Sequence, residues 1–135
     1  MKIWWQSSTA IHRLDDYRNT LTKNLNDLKR SDVEVHVNGV DDGSMDLHYN
    51  AVVAINSYGV GGVLNKMMQA QDQGYDAIAI GCFLDPAMQE ARELLSIPVF
   101  GLGETSMLMA CSYGHKFSGI AFHKKQSQYY DRKAF

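Results

Sequence analysis

Apolar residues change their spacing repeatedly along this 135-residue chain, and each change predicts an element. Lys2–Gln6 is a short apolar run that reads as a strand, closed by the polar turn Gln6-Ser7-Ser8-Thr9. Leu14, Tyr17, Leu21, Leu25 and Leu28 recur at three- and four-residue intervals, one apolar face of an amphipathic helix. Val33, Val35 and Val37 alternate with Glu34 and His36, the pattern of a half-exposed strand near a sheet edge. Residues 38–46, with glycine and serine among acids, predict a loop. Residues 51–55 fit a strand or the first turns of a helix, and Ser57-Tyr58-Gly59-Val60-Gly61-Gly62 interrupts either. Val63, Leu64, Met67, Met68 and Gln71 then predict a helix over 63–73, stopped by Gly74 as a C-cap.

The run Ala77–Ile80 is apolar throughout, as in a strand buried on both faces of a parallel sheet. Gly81 breaks it and Cys82 stands at its end. Asp85-Pro86 predicts an N-cap and first helical residue, with Met88, Ala91, Leu94 and Leu95 as the inner face of the helix. Ile97-Pro98-Val99-Phe100-Gly101 is a fourth strand, its proline near the start where a missing N–H does least harm. Residues 102–106 form a second strand-to-helix turn before a helix over 107–113, ended by Gly114. Residues 117–122 predict a fifth short strand, and 126–135 the start of another helix. Strands alternating with helices give an α/β class: a small parallel sheet of four to five strands flanked by helices, as in a Rossmann-like or flavodoxin-like lobe.

Length allows one core rather than two ordinary domains. The chain is 45% hydrophobic and 21% charged, values of a folded protein, and its net charge of -2 gives no reason to expect nucleic acid or an anionic membrane as partner. No apolar run is long enough for a membrane span, and the N-terminal residues lack the apolar core of a signal peptide. Two cysteines, Cys82 and Cys111, are not spaced as metal ligands; reduced thiols in the cytoplasm are the expectation. Scattered histidines predict no metal site. The glycines at 59, 61 and 62 lack the lysine ending of a phosphate-binding loop.

Three turns should meet at the carboxyl edge of the sheet, where open α/β sheets bind ligands: Gln6 to Thr9, Gly81 to Asp85 and Gly103 to Ser106. Their N–H groups suit a carboxylate or phosphate, although the same residue types also serve as ordinary caps. A lone cysteine is more often a small buried hydrophobe than a nucleophile. At a strand end Cys82 faces the crevice instead, and a helix start nearby would favour its thiolate. Cys111, amid Met107, Leu108, Met109 and Ala110, reads as core packing. Glu104 reads as a capping acid or a general acid/base.

The motifs Gly81-Cys82-Phe83-Leu84-Asp85-Pro86, Ala91-Arg92-Glu93-Leu94 and Ile97-Pro98-Val99-Phe100-Gly101-Leu102-Gly103-Glu104 together resemble the hydantoin-racemase-like branch of the Asp/Glu/hydantoin racemase superfamily. Lys2 to Thr9 resembles the first strand and ligand loop of that superfamily less distinctively. The resemblance implies a cofactor-independent enzyme of two similar lobes with a small carboxylate or hydantoin substrate between them. Two cysteines flank the substrate Cα: one thiolate removes the proton and the opposing thiol returns one to the other face. Inversion needs a donor opposite the base, and a thiol whose pKa lies near neutrality can take either role. Cys82 matches the first-lobe cysteine, while Gln6, Ser7, Ser8, Phe83, Gly103, Glu104 and Thr105 fall where the superfamily holds its substrate.

Residues 1–116 then correspond to lobe one, and 117–135 to the start of a lobe two that is incomplete. Cys111 cannot supply the second-lobe thiol, so the isolated chain is expected not to racemise. Cis–trans isomerisation with Cys82 as nucleophile is an alternative. Decarboxylation is disfavoured, because the decarboxylases that resemble this superfamily lack the first-lobe cysteine. A non-catalytic α/β module binding a small carboxylate or a protein is a further alternative, since an exposed apolar lobe face would favour homo-oligomers.

Overall fold

The computed structural model describes residues 1–41 and 52–121 together with Lys124 and Ser127; over 52–59 it describes the backbone alone. The elements follow in the order β1 (Lys2–Gln6), α1 (Asp15–Leu28), β2 (Glu34–Asn38), α2 (Val52–Asp72), β3 (Ala77–Ile80), α3 (Met88–Leu94), β4 (Val99–Gly101) and α4 (Leu102–Tyr113), with a 3-10 turn at Ile11–Arg13 ahead of α1. The strands form one sheet in the order β2-β1-β3-β4, every pair parallel. The α/β class and the parallel sheet are those the alternation of patterns predicts.

The chain leaves β1 toward β2, then crosses back over β1 to lay β3 on its other side. Right-handed crossovers therefore put α1 on one face of the sheet and α2 and α3 on the other. On the α2–α3 face, Trp4, Ile78, Ile80 and Val99 meet Val63, Met67 and Ala70 of α2 and Met88 and Ala91 of α3, all buried. Register explains the set, because Trp4, Ile78 and Val99 are lateral neighbours across three strands. Side chains at every second position share a face.

Several expectations need correction. The helix α2 runs unbroken through Gly59, Gly61 and Gly62, which were expected to interrupt it. Each helical glycine costs about 1 kcal/mol relative to alanine, and burial of Val63, Met67 and Ala70 outweighs that. Gly74 does stop α2: its φ is +74, its N–H donates to Gln71 O, and Tyr75 N–H reaches back to Ala70 O. This is the Schellman arrangement, which favours glycine at the left-handed position. In α1, Leu14, Tyr17 and Leu28 are exposed and no residue is buried, so its apolar stripe is only partly covered.

At α3, Met88 and Ala91 face the core but Leu94 is exposed. The fourth helix begins at Leu102, directly after β4, and not at 107. Cys111 is exposed on it rather than packed in the core. Residues 117–121 are not a strand; they pair with no edge, and Ile120 is 98% exposed. The part of the expected loop beyond Asp41, and the helix expected over 126–135 apart from Ser127, lie outside the described residues. Among the described residues no helix is long and apolar enough to cross a membrane.

Candidate functional site

The strand order reverses between β1 and β3, and the crevice beyond the carboxyl ends of those two strands is where such sheets take ligands. Two of the expected segments flank it. Gln6 ends β1 and Gly81-Cys82 follows β3; the Gly81 N–H donates to Gln6 O at 2.7 Å and holds them side by side. The third segment, at the start of α4, follows β4, the next strand along.

The turn after β1 is internally bonded. Gln6 is fully buried, its Oε1 accepting from Trp4 Nε1 at 2.7 Å and its Nε2 donating to Ser7 O at 2.7 Å. Its amide therefore fixes the turn it leads into. Ser7 is buried too, its Oγ accepting from Thr9 N–H at 3.2 Å and lying 3.0 Å from Thr9 Oγ1. Ser8 is half-buried. No helix starts directly from this turn, because the 3-10 turn begins only at Ile11.

The turn after β3 is held from both faces of the sheet. Gly81 lies flat against the Trp5 indole: a Cβ at 81 would sit 2.2 Å from Trp5 Nε1 and 2.4 Å from Cε2, so only glycine fits. Cys82 follows, half-buried, and then Phe83, 36% exposed. The Asp85 N–H closes the turn onto Cys82 O at 3.0 Å. Asp85 and Ala87 both have positive φ, 48° and 61°, which carries the chain round before α3 begins at Met88. Positive φ is uncommon for residues with a Cβ, though aspartate tolerates it better than most.

Asp85 does not cap its own helix. Its carboxylate accepts from Gly103 N–H at 2.8 Å and Glu104 N–H at 2.7 Å, two orphan donors of the first turn of α4. The side chain, itself buried, fills a gap left by two glycines: a Cβ at Gly101 would fall 2.5 Å from Asp85 Cγ, and one at Gly103 would fall 2.1 Å from Phe83 O. This corrects two local expectations. The N-cap of α3 is Ala87 and not Asp85, whose carboxylate serves α4, and the first residue of α3 is Met88 and not Pro86.

Glu104 is engaged by Arg92, whose Nη1 and Nη2 donate to the two carboxylate oxygens at 3.0 and 2.5 Å while its Nε donates to Val99 O at 3.0 Å. The bond to Glu104 is the main reason the Arg92 guanidinium titrates above its ordinary range. One residue of α3 thus ties β4 to α4. Thr105 is exposed on the first turn of α4. The roles of Asp85, Arg92 and Trp5 were not read from the chain; the glycines at 81, 101 and 103, each beside a strand end, were the available signal of close backbone approach.

A family model described as Asp/Glu/Hydantoin racemase matches residues 22–134. The chain belongs to that family. Cys82, Phe83, Asp85 and the α4 turn lie within the matched residues, whereas Gln6, Ser7 and Ser8 precede them. The racemase family likeness recurs in single proteins. A hydantoin racemase from Pseudomonas sp. (strain NS671) is 30% identical over 77 residues, which are 57% of this chain and 29% of that protein. One from Rhizobium meliloti is 38% identical over 61 residues, 45% of this chain and 25% of that protein. Among solved structures, an allantoin racemase from Klebsiella pneumoniae superposes with a TM-score of 0.66 at 23% identity, covering 83% of this chain and 43% of that one. A glutamate racemase from Aquifex pyrophilus does so with a TM-score of 0.51 at 18% identity, covering 85% and 42%. At such identities the two structures share the racemase fold with this chain, which spans less than half the length of each relative.

Proposed function

We propose that this chain is one lobe of a cofactor-independent racemase or isomerase, with Cys82 as one of two thiol acid/bases acting at the Cα of a small carboxylate or hydantoin. The observation that carries the proposal is the place of Cys82 in a racemase-family chain: half-buried, at the carboxyl end of β3, beside the strand-order reversal. The substrate lies over that crevice. Ser7 and Ser8 supply hydroxyls on one side, with Gln6 setting their turn. Phe83 supplies an apolar contact and Thr105 a hydroxyl on the other. Gly103 and Glu104, whose N–H groups are already given to Asp85, form the wall behind them.

In this scheme the Cys82 thiolate takes the α-proton from one face, leaving an enolate-like carbanion that polar groups fixed around it stabilise. Residues 1–116 act as the lobe and 117–135 lead toward a second, which provides the opposing thiol. The setting proposed is the cytoplasm, where both thiols stay reduced.

The test is deuterium entry at Cα from heavy water, with amino acids, hydantoins and allantoin as substrates. The expected result for the 135-residue chain is exchange into one enantiomer without inversion, abolished in Cys82→Ser. Inversion by the chain alone would remove the need for a second lobe. No exchange with any of these compounds would replace the proposal with that of a non-catalytic module binding small carboxylates.

A further inference from the structure

We infer that Asp85 is a positioning residue for Cys82: by capping α4 across the sheet edge, it fixes the turn that presents the thiol. The inference rests on the proposed role of Cys82 for its functional meaning, but its geometry stands apart from that role. Four observations converge. The Asp85 carboxylate is buried and takes two N–H groups of α4, at 2.8 and 2.7 Å. Its own N–H bonds back to Cys82 O, so side chain and backbone of one residue join the thiol's turn to a helix 18 residues away.

The glycines at 101 and 103 leave the volume that the carboxylate and the Phe83 carbonyl fill. At the far end of the same turn, Trp5 presses on Gly81 from the opposite face of the sheet. Cys82 thus sits between two anchors, one from each face. Charge-assisted bonds to buried N–H groups are about twice as strong as neutral ones, and Asp85 holds the positive φ of 48° that the turn requires.

The experiment uses the full chain in a Cys111→Ser background, so that Cys82 is the thiol that reacts. Asp85→Gly keeps the backbone conformation and removes the carboxylate. Asp85→Asn also tolerates positive φ and keeps one acceptor oxygen. Alkylation of Cys82 by iodoacetamide is followed against pH, together with hydrogen exchange at the Gly103 and Glu104 amides.

In Asp85→Gly, those two amides are expected to exchange at least tenfold faster while that of Met67 is unchanged. The limiting alkylation rate should change at least threefold, with Asp85→Asn between it and the parent. An alkylation profile for Asp85→Gly that superimposes on the parent's overturns the inference, even if the amides exchange faster. Should Asp85→Gly not fold, a parent-like profile in Asp85→Asn overturns it equally. Absence of deuterium entry in the parent sinks the proposed reaction and leaves the alkylation result to decide the positioning role. Where exchange into substrate is seen, Asp85→Gly should lower kcat about tenfold with KM within twofold, and an unchanged kcat counts against the inference.

Discussion

The two faces of the sheet are built to different standards. On one, Trp4, Ile78, Ile80 and Val99 are each no more than 5% exposed beneath α2 and α3. On the other, Phe100 is 53% exposed although its neighbours along β4 are buried, and α1 buries none of its residues. Stability is therefore concentrated on the α2–α3 face. The Cys82 turn draws on both: Asp85 lies on the buried side, in the gap at Gly101, and Trp5 reaches Gly81 from the open side. Cys82 is thus fixed at its carbonyl by Asp85, and as a half-buried residue it packs against the core of the α2–α3 face.

Substitutions on each face can break this contrast. The largest effect is expected at Met67, fully buried between α2 and the sheet. Met67→Ala should cost about 2–5 kcal/mol in urea unfolding, and a loss below 1 kcal/mol would mean that the α2–α3 face is not the principal core. Gly81→Ala drives a methyl into the Trp5 ring. Overpacking of this kind costs about 1–3 kcal/mol and should shift the tryptophan emission; unaltered emission would show that Trp5 does not anchor the turn.

Removing Arg92 breaks its bonds to Val99 O and Glu104. Both charged groups of that pair are about one-third exposed, so Arg92→Ala should cost on the order of 1 kcal/mol, measured as a lowered Tm. Phe100→Ser on the open face should stay within about 0.5 kcal/mol of the parent. A larger loss would place a hidden partner over that face.

The smallest effect concerns pH. Burial, with a smaller contribution from Glu34, raises the Tyr75 phenol above its ordinary value. A folded-state pKa above the unfolded one means that the folded chain keeps the proton longer. This stability contribution is whole below the ordinary tyrosine pKa of about 10 and is lost as pH climbs through the raised value. Unfolding free energy should fall as the pH climbs from about 10 to the raised value, and less steeply in Tyr75→Phe. Equal slopes would assign the alkaline loss to other groups.

How much of this was legible depended on the range of each interaction. Strand positions and the α/β class follow from local spacing, so Lys2–Gln6 and Ala77–Ile80 come out with the bounds that the apolar runs suggest. Gly74 was legible as a helix stop because a C-cap needs only its own φ and the preceding turn. The glycines at 59, 61 and 62 misled because helix propensity is a weak term, overridden by packing decided elsewhere. Residues 117–121 alternate well enough for a strand, but a strand exists only where an edge accepts it. The three turns of the candidate site were located by their position at strand ends, whereas Asp85, Arg92 and Trp5 gain their roles from partners 7 to 76 residues away: Val99 from Arg92 is the nearest, and Gly81 from Trp5 the farthest.

By itself the amino-acid sequence determined the order of elements, the parallel sheet, the thiol at a strand end and the motifs that tie the chain to the racemase family. Periodicity and motif are local quantities that a linear chain carries in full. Only the tertiary structure decided which helix Asp85 caps, which sheet face is covered and how the thiol's turn is anchored. An aspartate followed by proline states a capacity to accept N–H groups. Which helix offers those groups depends on where the chain returns in space, and here the Gly103 and Glu104 N–H groups of α4 reach the carboxylate.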